Sequence, residues 1–115
     1  MESANKATLL KANALVTAGN NDGFLSYCTE DVRWTFVGDQ TLEGKEAVRT
    51  YMKETYTTPP ILNVEELIAE GDFVNVLGKI SMKDQIGKLV DYAYCDVWRF
   101  QDDKMAELKA FVVEL

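Results

Sequence analysis

One segment of the chain places a carboxylate among aromatic side chains at the spacing of a β-strand. The segment reads DYAYCDVWRF and occupies residues 91–100. Alternate side chains of a strand share a face, so that one face carries Tyr92, Tyr94, Asp96, Trp98 and Phe100. Low-dielectric surroundings raise the pKa of a carboxyl group, which can then donate a proton to a carbonyl compound or take one from it. Asp96 is therefore the candidate catalytic group, at the bottom of an aromatic pocket.

A structural role for Asp96 is the alternative. Buried charges are normally partnered, and Tyr51, Tyr56 or Arg33 could hold the carboxylate in place. Either Glu65 or Glu66 is a further candidate partner for Asp96, because strand alternation turns the other one outward. The sequence leaves both roles open.

Aromatic residues elsewhere in the chain are candidates for the wall of the same pocket. Trp34 and Phe36 alternate with Thr35, so that both can face inward with Trp98. Their role is either packing or stacking against a flat apolar ligand. Tyr51 is mainly a helix-packing residue whose hydroxyl could reach the pocket. The predicted ligand-binding residues are Trp34, Phe36, Tyr51, Tyr94 and Trp98.

The composition excludes several kinds of chemistry and several partners. The 115 residues contain no histidine, which removes Ser-His-Asp and Cys-His nucleophile systems, HExxH zinc sites and imidazole acid–base catalysis. We expect no metal site and no cofactor. The net charge of −7, with lysines and arginines scattered singly, predicts no nucleic-acid or membrane partner. We expect a cytoplasmic protein whose two cysteines, Cys28 and Cys95, are free, buried packing residues.

The elements that must position these residues follow from periodicity and turn signals. Helical spacing predicts helices over 4–18, 23–28 and 43–56, the last ended by Pro59 and Pro60. Strands are predicted over 32–37, 61–69, 73–83, 88–100 and 105–115, and short polar turns join the last four as antiparallel neighbours. These elements make a single α+β domain over residues 1–115, with helices on one sheet face.

Both faces of the predicted sheet are largely apolar. Val74, Val76, Ile80 and Met82, and then Ala106, Leu108, Ala110 and Val112, continue the face of Asp96. The opposite face of the last two strands carries Ala93, Cys95, Val97, Phe111, Val113 and Leu115. An antiparallel sheet with one solvated face should alternate with polar residues, and this sheet does not. Helices can cover one face, and we expect a second copy of the chain to cover the outer face in a homodimer.

Two longer stretches, EDVRWTFVGDQTLEGKEAVRTYM and YCDVWRFQDDKMAELKAFV, resemble the SnoaL-like family of the nuclear-transport-factor-2-like superfamily. Its relatives include ketosteroid isomerases, polyketide cyclases, dehydratases and epoxide hydrolases. The resemblance covers nearly the whole chain. It implies a cystatin-like, cone-shaped α+β barrel, with three N-terminal helices packed in a curved, mostly antiparallel sheet, a pocket between them and a homodimer.

The resemblance also bears on the site. Asp96 matches the carboxylic acid that isomerases keep protonated, a case known from a relative of this protein. The general-base aspartate and the oxyanion tyrosine of the isomerases fall at Phe36 and at about Ala12. The arginine of the epoxide hydrolases falls at Tyr94, and the histidine of the cyclases has no counterpart.

The residues and the resemblance leave two functions open. The first is a pocket protein that binds a small, largely apolar organic molecule, with isomerase-, cyclase- or dehydratase-type proton transfer centred on Asp96. The second is a non-catalytic binding module or dimeric scaffold. A ligand-sized cavity with Asp96 accessible at its base would favour the first function. A cavity filled by Trp34, Phe36 and Trp98 would favour the second.

Overall fold

The structure is a computed structural model that describes residues 4–115. Along the chain its elements are α1 (Ala4–Thr17), α2 (Asn21–Leu25), β1 (Cys28–Phe36), β2 (Gln40–Glu43), α3 (Lys45–Thr55), β3 (Ile61–Glu70), β4 (Phe73–Lys83), β5 (Leu89–Gln101) and β6 (Lys104–Glu114). None of the helices within this range is long and apolar enough to cross a membrane.

Local signals set the ends of the helices. After α1, the backbone N–H of Asn20 donates to the carbonyl of Leu15 at 2.8 Å, and Gly19 adopts the left-handed conformation that this C-terminal motif requires. The Asn20 side chain then accepts a hydrogen bond from the N–H of Gly23 at 2.8 Å and so caps α2. Helix α3 ends at Thr55, shortly before the two prolines that exclude a helix.

The strands form one mixed sheet in the order β2-β1-β6-β5-β4-β3. Strands β1 and β6 run parallel, and the other neighbours are antiparallel. The β5–β6 turn has Asp102 at φ 52° and Asp103 at φ 65°. Two successive positive φ angles are typical of the tight turns that match the twist of a hairpin, and aspartate tolerates them better than most residues. Both aspartates thus form one of the short polar turns that were predicted to join the last four strands.

The helices cover the inner face of the sheet, which carries Asp96. Leu9, Ala12 and Val16 of α1 and Val48 and Met52 of α3 are buried there. They pack in one cluster with inner-face residues of the strands, among them Val32, Trp34, Val74, Val76, Trp98 and Leu108. The apolar stripes of the helices and the inner face of the sheet therefore form a single core.

The structure confirms the predicted α+β class and the antiparallel order of the last four strands. The sheet is mixed because β1 and β6 are parallel. The short strand β2 was not predicted, because its four residues are too few to show alternation. An irregularity of β6 at Ala106 was not predicted. The β5–β6 register shifts so that Met105 lies opposite Phe100, and Ala106 is the extra residue of a bulge.

Candidate functional site

A cavity of about 360 Å³ lies between the helices and the inner face of the sheet. All six residues predicted for the site line it: Trp34, Phe36, Tyr51, Tyr94, Asp96 and Trp98. They come from β1, α3 and β5, elements that are far apart in the sequence. The volume is within the range of about 300–1,000 Å³ that is common for small-molecule pockets. The aromatic side chains thus surround the cavity without filling it.

The pairing of the strands explains why there is space above Asp96. The residue lies opposite Ala110 of β6 on one side and Val76 of β4 on the other. One position further along the same face, Tyr94 lies opposite Gly78. Directly opposed residues share a face. The inner-face neighbours of Asp96 on the adjacent strands are therefore the small side chains of Ala110 and Val76, with Gly78 next to Val76 along β4. Small side chains around Asp96 leave room for a molecule to approach its carboxyl group.

The Asp96 carboxyl group has no polar partner within residues 4–115: no hydrogen bond and no ion pair reaches it. The side chain is only partly accessible, and it lines the cavity. Removal from water penalises the charged form, and this burial raises the pKa of Asp96 to about 7. The group therefore exchanges its proton near neutral pH, as a general acid or base must.

The proposed structural partners of Asp96 are engaged elsewhere or contribute no hydrogen bond. Arg33 instead donates to Glu43 at 2.8 Å on the outer side of the sheet. Glu65 lies 3.9 Å from Lys79, and Glu66 is exposed on the outer face. The alternative in which Asp96 is held by Arg33 or by either glutamate is therefore wrong.

Ring contacts connect six of the aromatic lining residues into one continuous belt: Phe24, Trp34, Phe36, Tyr51, Tyr56 and Trp98. The ring centroids of Trp34 and Trp98 are 6.0 Å apart at an interplanar angle of 80°. The ring centroids of Phe36 and Tyr51 are 5.0 Å apart, and those of Tyr51 and Tyr56 are 6.1 Å apart. These are the edge-to-face and tilted arrangements that aromatic pairs favour. Because each ring contacts the next, the wall is a rigid apolar surface.

The tyrosines add neutral hydroxyl groups to this wall. The pKa of Tyr94 is raised to about 12, mainly by burial and also by the charges of Asp96 and Glu65. Burial is also the main cause that raises the pKa of Tyr56 and of Tyr51. Each phenol therefore keeps its proton at neutral pH and can donate a hydrogen bond to a ligand.

Gly78 fixes the position of Tyr94. A methyl group at Gly78 would lie 2.9 Å from the hydroxyl oxygen of Tyr94 and 2.4 Å from the carbonyl oxygen of Asn63. Only a residue without a side chain fits there, because both distances are shorter than real Cβ contacts. The ring of Tyr94 therefore lies against bare backbone.

The cavity opens where its lining residues are exposed. Val37 and Val112 keep 49% and 43% of their surface accessible, and Asp39 is exposed beside them. At the other end, Val16 and Phe24 are buried. The mouth is thus at the end of β1 and the far part of β6, with a carboxylate at its rim.

Several lining residues were not predicted for the site, notably Asn13, Asp39 and Tyr92. Asn13 is a polar residue one position after the buried Ala12, and this interruption of an apolar stripe was the only available signal. Tyr92 shares the face of Asp96 by strand parity, so that its place could have been inferred. Asp39 follows a glycine in a turn, a setting that is typical of many aspartates without any site.

The two cysteines and the acidic side chains of residues 4–115 other than Asp39 and Asp96 are not among the lining residues of this cavity. No group of three or more cysteine, aspartate and glutamate side chains within residues 4–115 could hold a metal ion. Both cysteines are free. Cys28 is fully buried, and burial raises the pKa of its thiol to about 12. Cys95 is only half-buried and lies on the outer face, so that the prediction of two buried cysteines is confirmed for Cys28 alone.

The six-stranded mixed sheet, the helices on its inner face and the cavity between them define a nuclear-transport-factor-2-like fold. The SnoaL-like domain family matches residues 10–108 of the chain. The protein therefore belongs to the SnoaL-like family. None of the curated protein sequences matches the chain.

Solved structures with this fold are similar over nearly the full length. An NTF2-like protein of unknown function from Burkholderia pseudomallei is 21% identical, with a TM-score of 0.88 over 97% of this chain and 92% of that chain. SalBIII, an epoxide hydrolase/cyclase-like enzyme of pyran ring formation in the polyether salinomycin, is 22% identical, with a TM-score of 0.87 over 95% and 90%. TerC, co-crystallized with polyporic acid, is 21% identical, with a TM-score of 0.84 over 96% and 92%. At these identities the similarity establishes the fold.

Proposed function

We propose that this SnoaL-like protein binds a small, largely apolar organic molecule in its cavity and transfers a proton to or from it through Asp96. The observation that carries the proposal is a carboxyl group without a polar partner in residues 4–115, inside a cavity of ligand size. Pockets of this kind combine apolar walls with a few polar groups that fix orientation. We infer that this cavity is the pocket between the helices and the sheet that the family resemblance implies.

The lining supports an apolar ligand. Trp34, Phe36, Tyr51, Tyr94 and Trp98 present ring faces and edges, and no lysine or arginine is among the lining residues that the structure describes. Stacking on such rings and burial of apolar surface provide the binding free energy. SalBIII, an enzyme of pyran ring formation, and TerC, which was co-crystallized with polyporic acid, are consistent with organic ligands in this fold.

The pKa of Asp96 supports proton transfer. With a value of about 7, ionised and protonated forms are both populated at neutral pH. The ionised form takes a proton from the carbon beside a ligand carbonyl. That C–H bond breaks, an O–H bond forms on Asp96, and the electron pair moves onto the carbonyl oxygen. A phenol such as Tyr94 or Tyr56 can donate a hydrogen bond to this oxygen. The protonated carboxyl then returns the proton at another atom.

Binding can be measured with the protein's own fluorescence. The chain contains two tryptophans, and both, Trp34 and Trp98, line the cavity. Cyclohexyl methyl ketone, which absorbs little where tryptophan is excited, is a suitable neutral probe. We expect saturable quenching that Asp96→Asn retains, because its amide can also donate a hydrogen bond, and that weakens in Asp96→Leu. Asp103→Asn, in the β5–β6 turn, is the matched charge control and should bind like the unmodified protein.

Catalysis requires a separate experiment. In heavy water, proton transfer by Asp96 exchanges the hydrogens beside the carbonyl of the same ketone for deuterium, which proton NMR detects. We expect exchange above the buffer rate that is lost in Asp96→Asn and retained in Asp103→Asn. Binding without exchange would contradict the catalytic part of the proposal and favour the non-catalytic binding module. Absence of both would favour the dimeric scaffold.

We also propose that two copies of the chain associate through the outer face of the sheet. The centre of this face is a row of apolar residues across three strands, with Leu77 opposite Cys95 and Cys95 opposite Phe111. Both signs of charge surround the row, as a self-complementary two-fold contact requires: Glu66, Lys79, Arg99, Glu107 and Lys109. Single exposed apolar residues are common in monomers, but a contiguous row is typical of interfaces.

Light scattering after size-exclusion chromatography tests this association. Phe111 keeps 45% of its surface accessible in the single chain. We expect the unmodified protein to elute with twice the mass of one chain and Phe111→Glu with the mass of one. Ile86→Glu, which places the same charge in the exposed β4–β5 turn, is the control and should remain dimeric. A monomeric unmodified protein would refute the association.

A further inference from the structure

The charge of the cavity wall restricts the ligand more narrowly than its apolar character does. The ionisable residues that line the cavity are two carboxylates, Asp39 and Asp96, and four tyrosines, Tyr51, Tyr56, Tyr92 and Tyr94. Every one of them is an acid, and within residues 4–115 no basic side chain lines the cavity. A negatively charged ligand would meet no counter-charge and would lose its hydration on entry.

Aromatic rings strengthen this bias. Eight of the lining residues are aromatic: Phe24, Trp34, Phe36, Tyr51, Tyr56, Tyr92, Tyr94 and Trp98. The face of an aromatic ring carries a partial negative charge that attracts organic cations, and the attraction grows where water is excluded. A ring wall around a carboxyl group is therefore suited to an ammonium group on an apolar frame.

Several basic side chains of the strands and of α3 are engaged in ion pairs, and none of them lines the cavity. Lys45 pairs with Glu30, Lys79 with Glu65 and Arg99 with Glu107. Arg33 pairs with Glu43, and Arg49 pairs with Asp22 and Glu46. These ion pairs lie on the surface, so that they do not neutralise Asp96. Because no basic side chain of residues 4–115 lines the cavity, a cation that enters it would supply the missing counter-charge of this carboxylate.

The positions of the two carboxylates are complementary. Asp39 is exposed at the mouth, where it raises the local concentration of cations. Asp96 lies inside, between Ala110 and Val76, with space above it. Asp39, Tyr51 and Asp96 all line this one cavity. From this arrangement we propose that the cavity binds the protonated form of an aliphatic or aromatic amine, with Asp96 as its counter-ion. The inference rests on the proposed binding function and names the class of its ligand.

The competing ligand class is a neutral carbonyl compound, which protonated Asp96 can hold by donating a hydrogen bond. The two classes differ in their pH dependence. An ammonium group needs the ionised carboxylate, so that its affinity should increase as the pH rises through about 7, whereas that of a carbonyl compound should decrease. The tyrosines around Asp96 with raised pKa values are Tyr51 of α3, Tyr56 just after α3 and Tyr94 of β5. Their phenols stay neutral over this interval.

Three probes with one apolar frame separate these possibilities. They are 1-adamantanamine, 1-adamantanol and 1-adamantanecarboxylate, which carry charges of +1, 0 and −1 at pH 8 and do not absorb where tryptophan is excited. Binding is followed by the fluorescence of Trp34 and Trp98 at pH 6 and pH 8. We expect the amine to bind about 10-fold more tightly than the alcohol at pH 8, and the carboxylate to bind least.

The variants assign the preference to Asp96. In Asp96→Asn the ratio of amine to alcohol affinity should fall to about 1, while alcohol binding persists and shows that the cavity is intact. Asp103→Asn removes the same charge outside the cavity and should keep the ratio. Equal binding of amine and alcohol at pH 8, or tighter binding of the carboxylate, would overturn the inference and leave the proposed binding function in place. If none of the probes binds, the binding function itself fails.

Discussion

Replacement of Asp96 by asparagine should stabilise the protein at high pH relative to low pH. The pKa of Asp96 is about 7 in the folded chain and near its ordinary value of 3.8 in the unfolded chain. Between these values the unfolded chain has released the proton that the folded chain still holds, so that stability decreases as the pH rises. Each pKa unit corresponds to about 1.4 kcal/mol, which gives an upper limit of about 4 kcal/mol across the interval.

The amide variant carries no such titration. It has its own cost of burying an amide, about 1–3 kcal/mol, but this cost is the same at every pH. The quantity to measure is therefore the difference in unfolding free energy between Asp96→Asn and the unmodified protein, taken at pH 4 and again at pH 8. We expect this difference to shift in favour of the variant by as much as about 4 kcal/mol.

Urea unfolding followed by tryptophan fluorescence provides the measurement, at one protein concentration throughout because association would add to stability. Asp103→Asn serves as the control for loss of one negative charge. A constant difference between pH 4 and pH 8 would refute the reasoning. So would a shift that favours the unmodified protein at pH 8, since a carboxylate held by a partner has a lowered pKa and gains stability as the pH rises.

Three further predictions concern positions around the fold. Gly78→Ala should destabilise the protein by about 1–3 kcal/mol, because the added methyl group meets the backbone of Asn63 and the hydroxyl of Tyr94. A decrease in the free energy of unfolding of only about a few tenths of a kcal/mol, measured with urea, would contradict that close contact. The Cys28 thiol should react with a thiol reagent only after unfolding, since it is fully buried with a pKa of about 12; fast native reaction that survives Cys95→Ala would speak against this burial. Asn20→Ala should cost about 1 kcal/mol by removing the cap of α2, and equal stability of the two proteins would mean that the cap contributes nothing.

Much of the fold could be predicted because its signals are local. Alternation over the long strands β4 and β5 fixed their bounds to within one residue, and proline and glycine marked the ends of the helices. Parity along β5 also placed Asp96 with Tyr94 and Trp98. What parity could not provide was register: the bulge at Ala106 depends on pairing between strands, and no pattern within β6 reveals it.

The partner of Asp96 could not be predicted for a related reason. Whether a carboxylate finds a partner depends on the reach and direction of side chains from other elements, and sequence gives only their order. Arg33 alone could have been excluded from the sequence, because strand alternation puts it on the face opposite to Trp34, where it meets Glu43. The space above Asp96 likewise arises from Ala110 and Val76, two small residues that lie opposite it only through strand pairing.

The two functions left open by the sequence can be separated by what Asp96 does to stability. A scaffold has no need of a carboxyl group in an apolar cavity, since an amide or apolar residue would avoid the cost of desolvating it. A ligand-binding site does need it, because the group that lowers stability is the one that interacts with the ligand. If Asp96→Asn is stabilising at pH 8 and also loses affinity or exchange, the cost of Asp96 is tied to binding. If it is stabilising without any loss of either, the carboxyl group has no role in the cavity, and the scaffold is the better account.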